Sequence, residues 1–225
     1  MTSKKKLYII PTPIGNLNDI TLRSLDALRN SDYILCEDTR VSKRLLSKYE
    51  ISTPLKSYHS FNEHKVLSSH IKYILSGKKI SLISDAGTPS ISDPGFLLIR
   101  EAIRNDIEID CFPGPTALIP ALVNSGLPSD KFVFEGFLPV KKGRNKRLKF
   151  LSEEERSIII YESPKRLKKL LNDLIDNFGE ERNASISREL TKIYQENIRG
   201  SLKELYTQIE NKNIKGEIVL VIHGK

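Results

Sequence analysis

Tryptophan is absent from the 225 residues, methionine occurs once, and cysteine only twice. The two cysteines, Cys36 and Cys111, stand far apart, each inside an apolar, strand-like run. That usage excludes a disulfide framework and predicts two small core side chains. Histidine is also scarce. His59 and His64 flank a short segment, but no further ligands stand at the spacing zinc requires, so no metal is expected. No apolar run approaches the ~18 residues of a membrane span, which excludes a membrane protein of the helical kind. Leu7-Tyr-Ile-Ile10 ends at Pro11, too short for the apolar region of a signal peptide, and a cytoplasmic protein is expected. There is no G-x-G-x-x-G after a strand and no G-x-x-x-x-G-K-[ST], so a dinucleotide or nucleoside triphosphate bound in the common ways is excluded. Internal repeats and low-complexity segments are missing too.

What is present is an excess of positive charge: 36 Lys and Arg against 28 Asp and Glu, a net +8. An enzyme of small neutral substrates has no use for it, whereas a polyanion does. Strand-like and helix-like segments alternate. Strands are expected at 7–10, 33–36, 80–83 and 108–112, and helices at 21–30, 39–49, 62–75 and 96–104. This rhythm predicts a mostly parallel sheet covered by helices. Pro113-Gly-Pro115 interrupts it. Beyond that point helices are expected at 116–125, 164–178 and 202–210 and strands at 131–136, 156–161, 184–189 and 217–222, with longer joins and a mixed sheet. The expectation is an α/β protein of two domains, 1–113 and 114–225.

Four loops follow strands of the first half: Pro11-Thr-Pro-Ile-Gly-Asn16, Glu37-Asp-Thr-Arg40, Asp85–Gly95 and Pro113-Gly-Pro-Thr-Ala117. The third spends about ten residues where a turn needs two to six. Any one of them reads equally as a turn or helix cap, and Asp85 or Asp93 suits a cap. Ligands of open α/β sheets bind beyond the carboxyl ends of the strands, so four such loops at strand ends predict one binding crevice.

Ten motifs then occur in order: Thr12-Pro-Ile-Gly-Asn-Leu17, Cys36-Glu-Asp-Thr-Arg40, Ser84-Asp-Ala-Gly-Thr-Pro89, Ser92-Asp-Pro-Gly95, Phe112-Pro-Gly-Pro115, Gly126-Leu-Pro-Ser-Asp130, Glu135-Gly-Phe-Leu-Pro139, Tyr161-Glu-Ser163, Arg188-Glu-Leu-Thr-Lys192 and Lys215-Gly-Glu217. With them the chain resembles the family of 16S rRNA (cytidine-2′-O)-methyltransferases, within the tetrapyrrole-methylase superfamily, from about Leu7 to Gly224. The resemblance implies a two-domain α/β fold unlike the usual Rossmann-type methyltransferase. It implies S-adenosyl-L-methionine in a cleft between the domains and a homodimer. Its implied substrate is the 2′-hydroxyl of a cytidine near the decoding centre, in the 16S rRNA of the small ribosomal subunit.

Carried onto this chain, the resemblance assigns cofactor contacts to Thr12, Pro13, Ile14, Asp85, Ala86, Gly87, Thr88, Ser90, Ile91, Ser92, Thr116 and Ala117. In the second half it assigns them to Glu162, Leu190 and Gly216. A 2′-hydroxyl must lose its proton, and a carboxylate or imidazole beside it helps. Glu37, Asp38, His59, Glu63, Glu162 and Glu189 are candidates, and Arg40 is placed to orient a phosphate or pair with a carboxylate. The run Lys141-Lys-Gly-Arg-Asn-Lys-Arg-Leu-Lys149 offers Lys141, Lys142, Arg144, Lys146 and Arg147 to RNA phosphates, or else forms a solvated helix face. Lys165, Arg166, Lys168 and Lys169 read as the outer face of an amphipathic helix. The alternatives are a methylase of a tetrapyrrole or other small molecule, and an RNA-binding protein without catalysis.

Overall fold

The computed structural model describes residues 5–225, and the basic tip at residues 1–4 lies outside them. The chain divides into two compact units after Thr116. In the first, β1 (Lys6–Ile9), β2 (Tyr33–Cys36), β3 (Leu55–Ser57), β4 (Ile80–Leu82) and β5 (Glu108–Cys111) form one sheet in the order β3-β2-β4-β1-β5. Every pairing is parallel. Its helices are α1 (Leu22–Arg29), α2 (Thr39–Lys48), α3 (Glu63–Leu75) and α4 (Phe96–Arg104).

Successive side chains of a strand point to opposite faces, and the central strands here are apolar at every position but Lys6 and Ser81. Leu7, Ile9, Tyr33, Leu35, Ile80 and Leu82 share one core with Ile71 and Ile74 of α3 and Leu98 and Ala102 of α4. Ile10, Ile34, Cys36 and Ile83 share the other with Leu25 and Leu28 of α1 and Leu45 and Leu46 of α2. The sheet is therefore covered on both faces, as the alternating pattern predicts. Because all five strands run the same way, the segments after β1, β2, β3, β4 and β5 leave one edge of the sheet.

Three features of this unit differ from the sequence reading. The short strand β3 was not expected; it pairs only with β2 and is partly exposed, so it carries no apolar run. Cys111 is exposed, not core, because β5 is an edge strand. Lys6, at the end of the basic tip, lies in β1 with its ammonium 2.9 Å from Glu108.

The second unit contains β6 (Phe132–Phe137), β7 (Ser157–Glu162), β8 (Asn183–Arg188), β9 (Glu196–Ser201) and β10 (Ile218–Ile222), ordered β6-β7-β10-β8-β9. Only β6 and β7 pair in parallel; the other pairings are antiparallel, so this sheet is mixed. The register of β6 slips between Phe134 and Gly136, a bulge at Glu135. Helices α6 (Arg144–Leu151), α7 (Pro164–Phe178) and α8 (Leu202–Ile209) cover one face, and α5 (Leu118–Ser125) packs against β8, β9 and β10. In α7, Leu167, Leu170, Leu171 and Leu174 are fully buried, as their helical spacing predicts. Proline opens this helix at its first position and Gly179 closes it.

Candidate active site

The loop after β1 and the loop after β4 are tied by main-chain bonds. Thr12 N–H donates to Gly87 O and Gly87 N–H to Thr12 O, both at 2.9 Å, making an antiparallel bridge outside the sheet. The hydroxyls of Thr12 and Ser84 lock the same corner: Thr12 Oγ1 donates to Ser84 O at 2.9 Å, and Ser84 Oγ to Gly87 O at 3.1 Å. Gly87 holds φ +85°, a conformation side chains rarely adopt. Thr88 Oγ1 donates to Pro115 O at 3.1 Å, which brings in the loop after β5. Thr12, Pro13 and Ile14 are buried beneath this corner, while Ala86, Ile91 and Ser92 are exposed. Ser90 and Ser92 sit at φ 72° and 63°. Left-handed backbone at two non-glycine residues costs about 1–3 kcal/mol each and marks a segment held in shape by its surroundings.

The loop after β2 supplies acids. Asp85 Oδ1 accepts from the Asp38 N–H at 3.0 Å, which joins this loop to the β4 loop. Glu37, Asp85 and Asp93 lie close enough for their charges to act on one another. Burial, reinforced by Glu37 and then Asp85 against an opposing bond from Ser84, pushes the Asp93 carboxyl up to about 6. Burial and the Asp85 charge likewise raise Glu37, with His59 opposing. Burial raises Asp85. His59, in the segment after β3, therefore faces the same cluster, and its Nδ1 is buried without a hydrogen-bond partner.

Asp38 does not belong with the proton acceptors. It caps α2, accepting from Arg40 N–H at 2.8 Å, and its carboxylate takes the Arg40 guanidinium as a fork at 2.6–3.2 Å. Those bonds hold it down to about 2. Arg40 is spent on Asp38, with its side chain 87% exposed. Asp93, which the sequence offered only as a possible cap, is the acid that reading missed; its sole signal was its place in the long loop, since burial is not written in the residue type.

In the second unit, Glu162 closes β7 opposite Ile218 of β10, and Ile218 also faces Arg188 of β8. Glu162, Leu190 and Gly216 thus gather at one edge of the mixed sheet. The Glu162 side chain is fully buried; its Oε1 accepts from Ser163 N–H and from Arg166, and its Oε2 has no partner. Arg166 is accordingly a buttress of Glu162 rather than a solvent-facing cation. Gly216 is required by contact: a Cβ there would stand 2.3 Å from Cγ of Glu189, whose carboxylate accepts from Lys192 and from Glu217 N–H. Thr116 ends the first unit, and Ala117 caps α5 without a side-chain bond.

The basic run leads into α6, with Lys141 and Lys142 before the helix, and two of its assigned phosphate contacts are corrected. Arg144 is buried, donating to Asp173 at 2.8 Å and to Pro139 O at 3.2 Å. Arg147 is engaged by Glu135, the bulged residue of β6. Lys141, Lys142, Lys146 and Lys149 are exposed.

S-adenosyl-L-methionine carries a sulfonium, an ammonium and two ribose hydroxyls. In the first unit carboxylates, hydroxyls and main-chain groups on small residues fit it, with Arg40 drawn onto Asp38; in the second unit, taken by itself, the buried Glu162 Oε2 is a polar atom without a partner. Among the described residues no group of His, Cys, Asp and Glu suits a metal ion, and no helix is long and apolar enough to cross a membrane.

A parallel α/β unit edged by such loops, followed by a mixed-sheet unit, defines an α/β methyltransferase that uses S-adenosyl-L-methionine. A family model described as Tetrapyrrole (Corrin/Porphyrin) Methylases matches residues 6–206, and the chain belongs to that family. A relative in Thermotoga maritima, named Ribosomal RNA small subunit methyltransferase I, is 47% identical over 220 residues, 98% of this chain and 99% of that protein. A protein of the same name in Mycoplasmopsis pulmonis is 48% identical over 98% of each chain. Another in Vibrio cholerae is 47% identical over 97% of this chain and 77% of its own length. Among solved structures, a diphthine synthase superposes with a TM-score of 0.75 at 12% identity, covering 98% of this chain and 90% of that one. A cobalt precorrin-4 methyltransferase superposes with 0.73 at 18% identity, covering 97% and 95%. At these identities the two structures speak for the fold alone.

Proposed function

We propose that this enzyme methylates the ribose 2′-hydroxyl of a cytidine near the decoding centre in 16S rRNA of the small ribosomal subunit. The observation that carries the reading is the set of relatives, 44–48% identical over nearly the whole chain, that share the name Ribosomal RNA small subunit methyltransferase I. The net charge of +8 suits a polyanionic substrate such as RNA.

When bound, S-adenosyl-L-methionine supplies a methyl group already activated by its sulfonium. The protein's task is to place a hydroxyl in line with it, and good placement is worth effective molarities of about 10⁵–10⁸ M. Thr12, Asp85 to Thr88 and Ser90 to Ser92 hold the donor, with Glu162, Leu190 and Gly216 as its contacts in the second unit. Glu37 takes the hydroxyl proton: its raised affinity brings it nearer the working pH than Asp38, which Arg40 holds deprotonated as a poor base. Lys141, Lys142 and Lys146 meet phosphates. The resemblance also brings a homodimer, which light scattering of the purified protein checks.

The deciding experiment is mass mapping of 2′-O-methyl groups on small-subunit rRNA from cells with and without the protein. Loss of one methyl group from a decoding-centre cytidine, restored by the gene, supports the proposal. An unchanged map, together with methyl transfer to a porphyrinoid, overturns it in favour of a small-molecule methylase.

A further inference from the structure

The turn between β3 and α3 presents Phe61 with its surface 97% exposed. An exposed Phe is ordinary on a loose loop, but this turn is braced. Asn62 Oδ1 accepts from His59 N–H at 2.9 Å, Asn62 Nδ2 donates to Ser57 O at 3.1 Å, and the Asn62 and Glu63 N–H groups bond His59 O at 3.0 and 2.9 Å. Tyr58 is buried and its hydroxyl reaches Glu63. The rings of Phe61 and His59 meet edge to face, centroids 6.0 Å apart, and His59 is close enough to Glu37 for its charge to act on it. The braced turn therefore holds an aromatic face open on the side of His59. Its neighbours along the chain, Ser60, Asn62, His64 and Lys65, are polar. Protein partners seat on contiguous apolar patches. An unpaired nucleobase needs only one π-face, and single-stranded RNA is bound by such stacking.

We propose that Phe61 is a stacking platform for a nucleobase of the RNA substrate, positioning the target ribose against Glu37. The inference rests on the rRNA reading and adds a substrate-positioning residue to it. Removing the ring costs about 5- to 150-fold in RNA affinity, the usual worth of one stacked base.

The test uses full-length enzyme and small-subunit rRNA from cells lacking it. F61A raises KM for the RNA by about that factor, with the dissociation constant for S-adenosyl-L-methionine unchanged. F61W keeps a low KM, and F61L is as poor as F61A because bulk without a π-face does not stack. The chain has no tryptophan, so F61W is also a lone reporter whose emission is quenched as rRNA is titrated in, with or without turnover. A parental KM in F61A, rescue by F61L equal to that by F61W, or unquenched F61W emission at saturating RNA overturns the proposal. Failure of the parent enzyme to methylate rRNA sinks the rRNA reading instead, and the quenching titration still decides whether Phe61 meets RNA.

Discussion

At the scale of single residues, two neighbouring acids are set apart by their environments. Asp38 and Glu37 are adjacent in sequence, yet the first is tied to Arg40 and a helix end while the second is half-buried among other carboxylates. Glu37→Gln is expected to lower kcat by about 10²- to 10⁴-fold, the usual worth of a positioned proton acceptor, while donor affinity stays near parental; a parental kcat moves the proton transfer elsewhere. Asp93 makes a pH-dependent prediction. Its carboxyl titrates near 6 in the fold against an ordinary 3.8. The folded state thus holds more protons between those values, and stability falls as pH rises through that window. Asp93→Asn removes the fall. The variant should match the parent below about pH 4 and exceed it by about 1–3 kcal/mol above pH 6, read from denaturant titrations at both ends. A gain that is equal at every pH refutes the assignment. Such a gain would come with impaired activity if the buried acid serves the site, as strained functional positions commonly do.

At the scale of elements, the second unit leans on α7, whose four buried leucines and Phe178 face the mixed sheet. Leu171→Ala should cost about 2–5 kcal/mol of unfolding free energy, measured by urea titration; a loss under 1 kcal/mol would mean the site collapses around the deletion. This helix, and the β2 and α4 ranges, were legible because apolar spacing, an opening proline or a terminal glycine announces them directly. Two of the four edge strands, β3 and β9, were not. Leu55–Ser57 and Glu196–Ser201 each pair on one side only and need no apolar run, so Glu-Asn-Ile-Arg-Gly-Ser reads as loop until β8 is seen beside it. The loops of the site were legible as departures from turn economy, since four of them follow strands of one unit and the third is longer than a turn requires. Their wiring was not, because it depends on long-range pairs such as Thr12 with Gly87 and Asp38 with Asp85. Arg144 shows the same limit. In sequence it is one cation among six; in the fold its neighbour Asp173, on α7, makes it an internal strut.

At the scale of the whole molecule, the distinction between paired and unpaired cations decides what a net charge of +8 can do. Of the basic run, Arg144 and Arg147 are neutralised locally by Asp173 and Glu135, so the field that reaches RNA comes from Lys141, Lys142, Lys146 and Lys149. Phosphate contacts release counterions, and for single-stranded nucleic acid the logarithm of affinity falls with the logarithm of salt by about 0.7 per contact. Reversing Lys141, Lys142 and Lys146 to Glu should therefore weaken rRNA binding most at low salt and flatten that slope by about 2, with donor affinity and thermal midpoint unchanged. Replacing Arg144 with Ala should do the opposite. It leaves Asp173 without its closest partner inside the unit, so stability drops by a few kcal/mol while the slope per folded molecule is kept. If the lysine variant kept the parental slope, this basic segment would not be the face on which the enzyme holds RNA; if the Arg144 variant lost slope without losing stability, Arg144 would itself be a phosphate contact and not an internal strut.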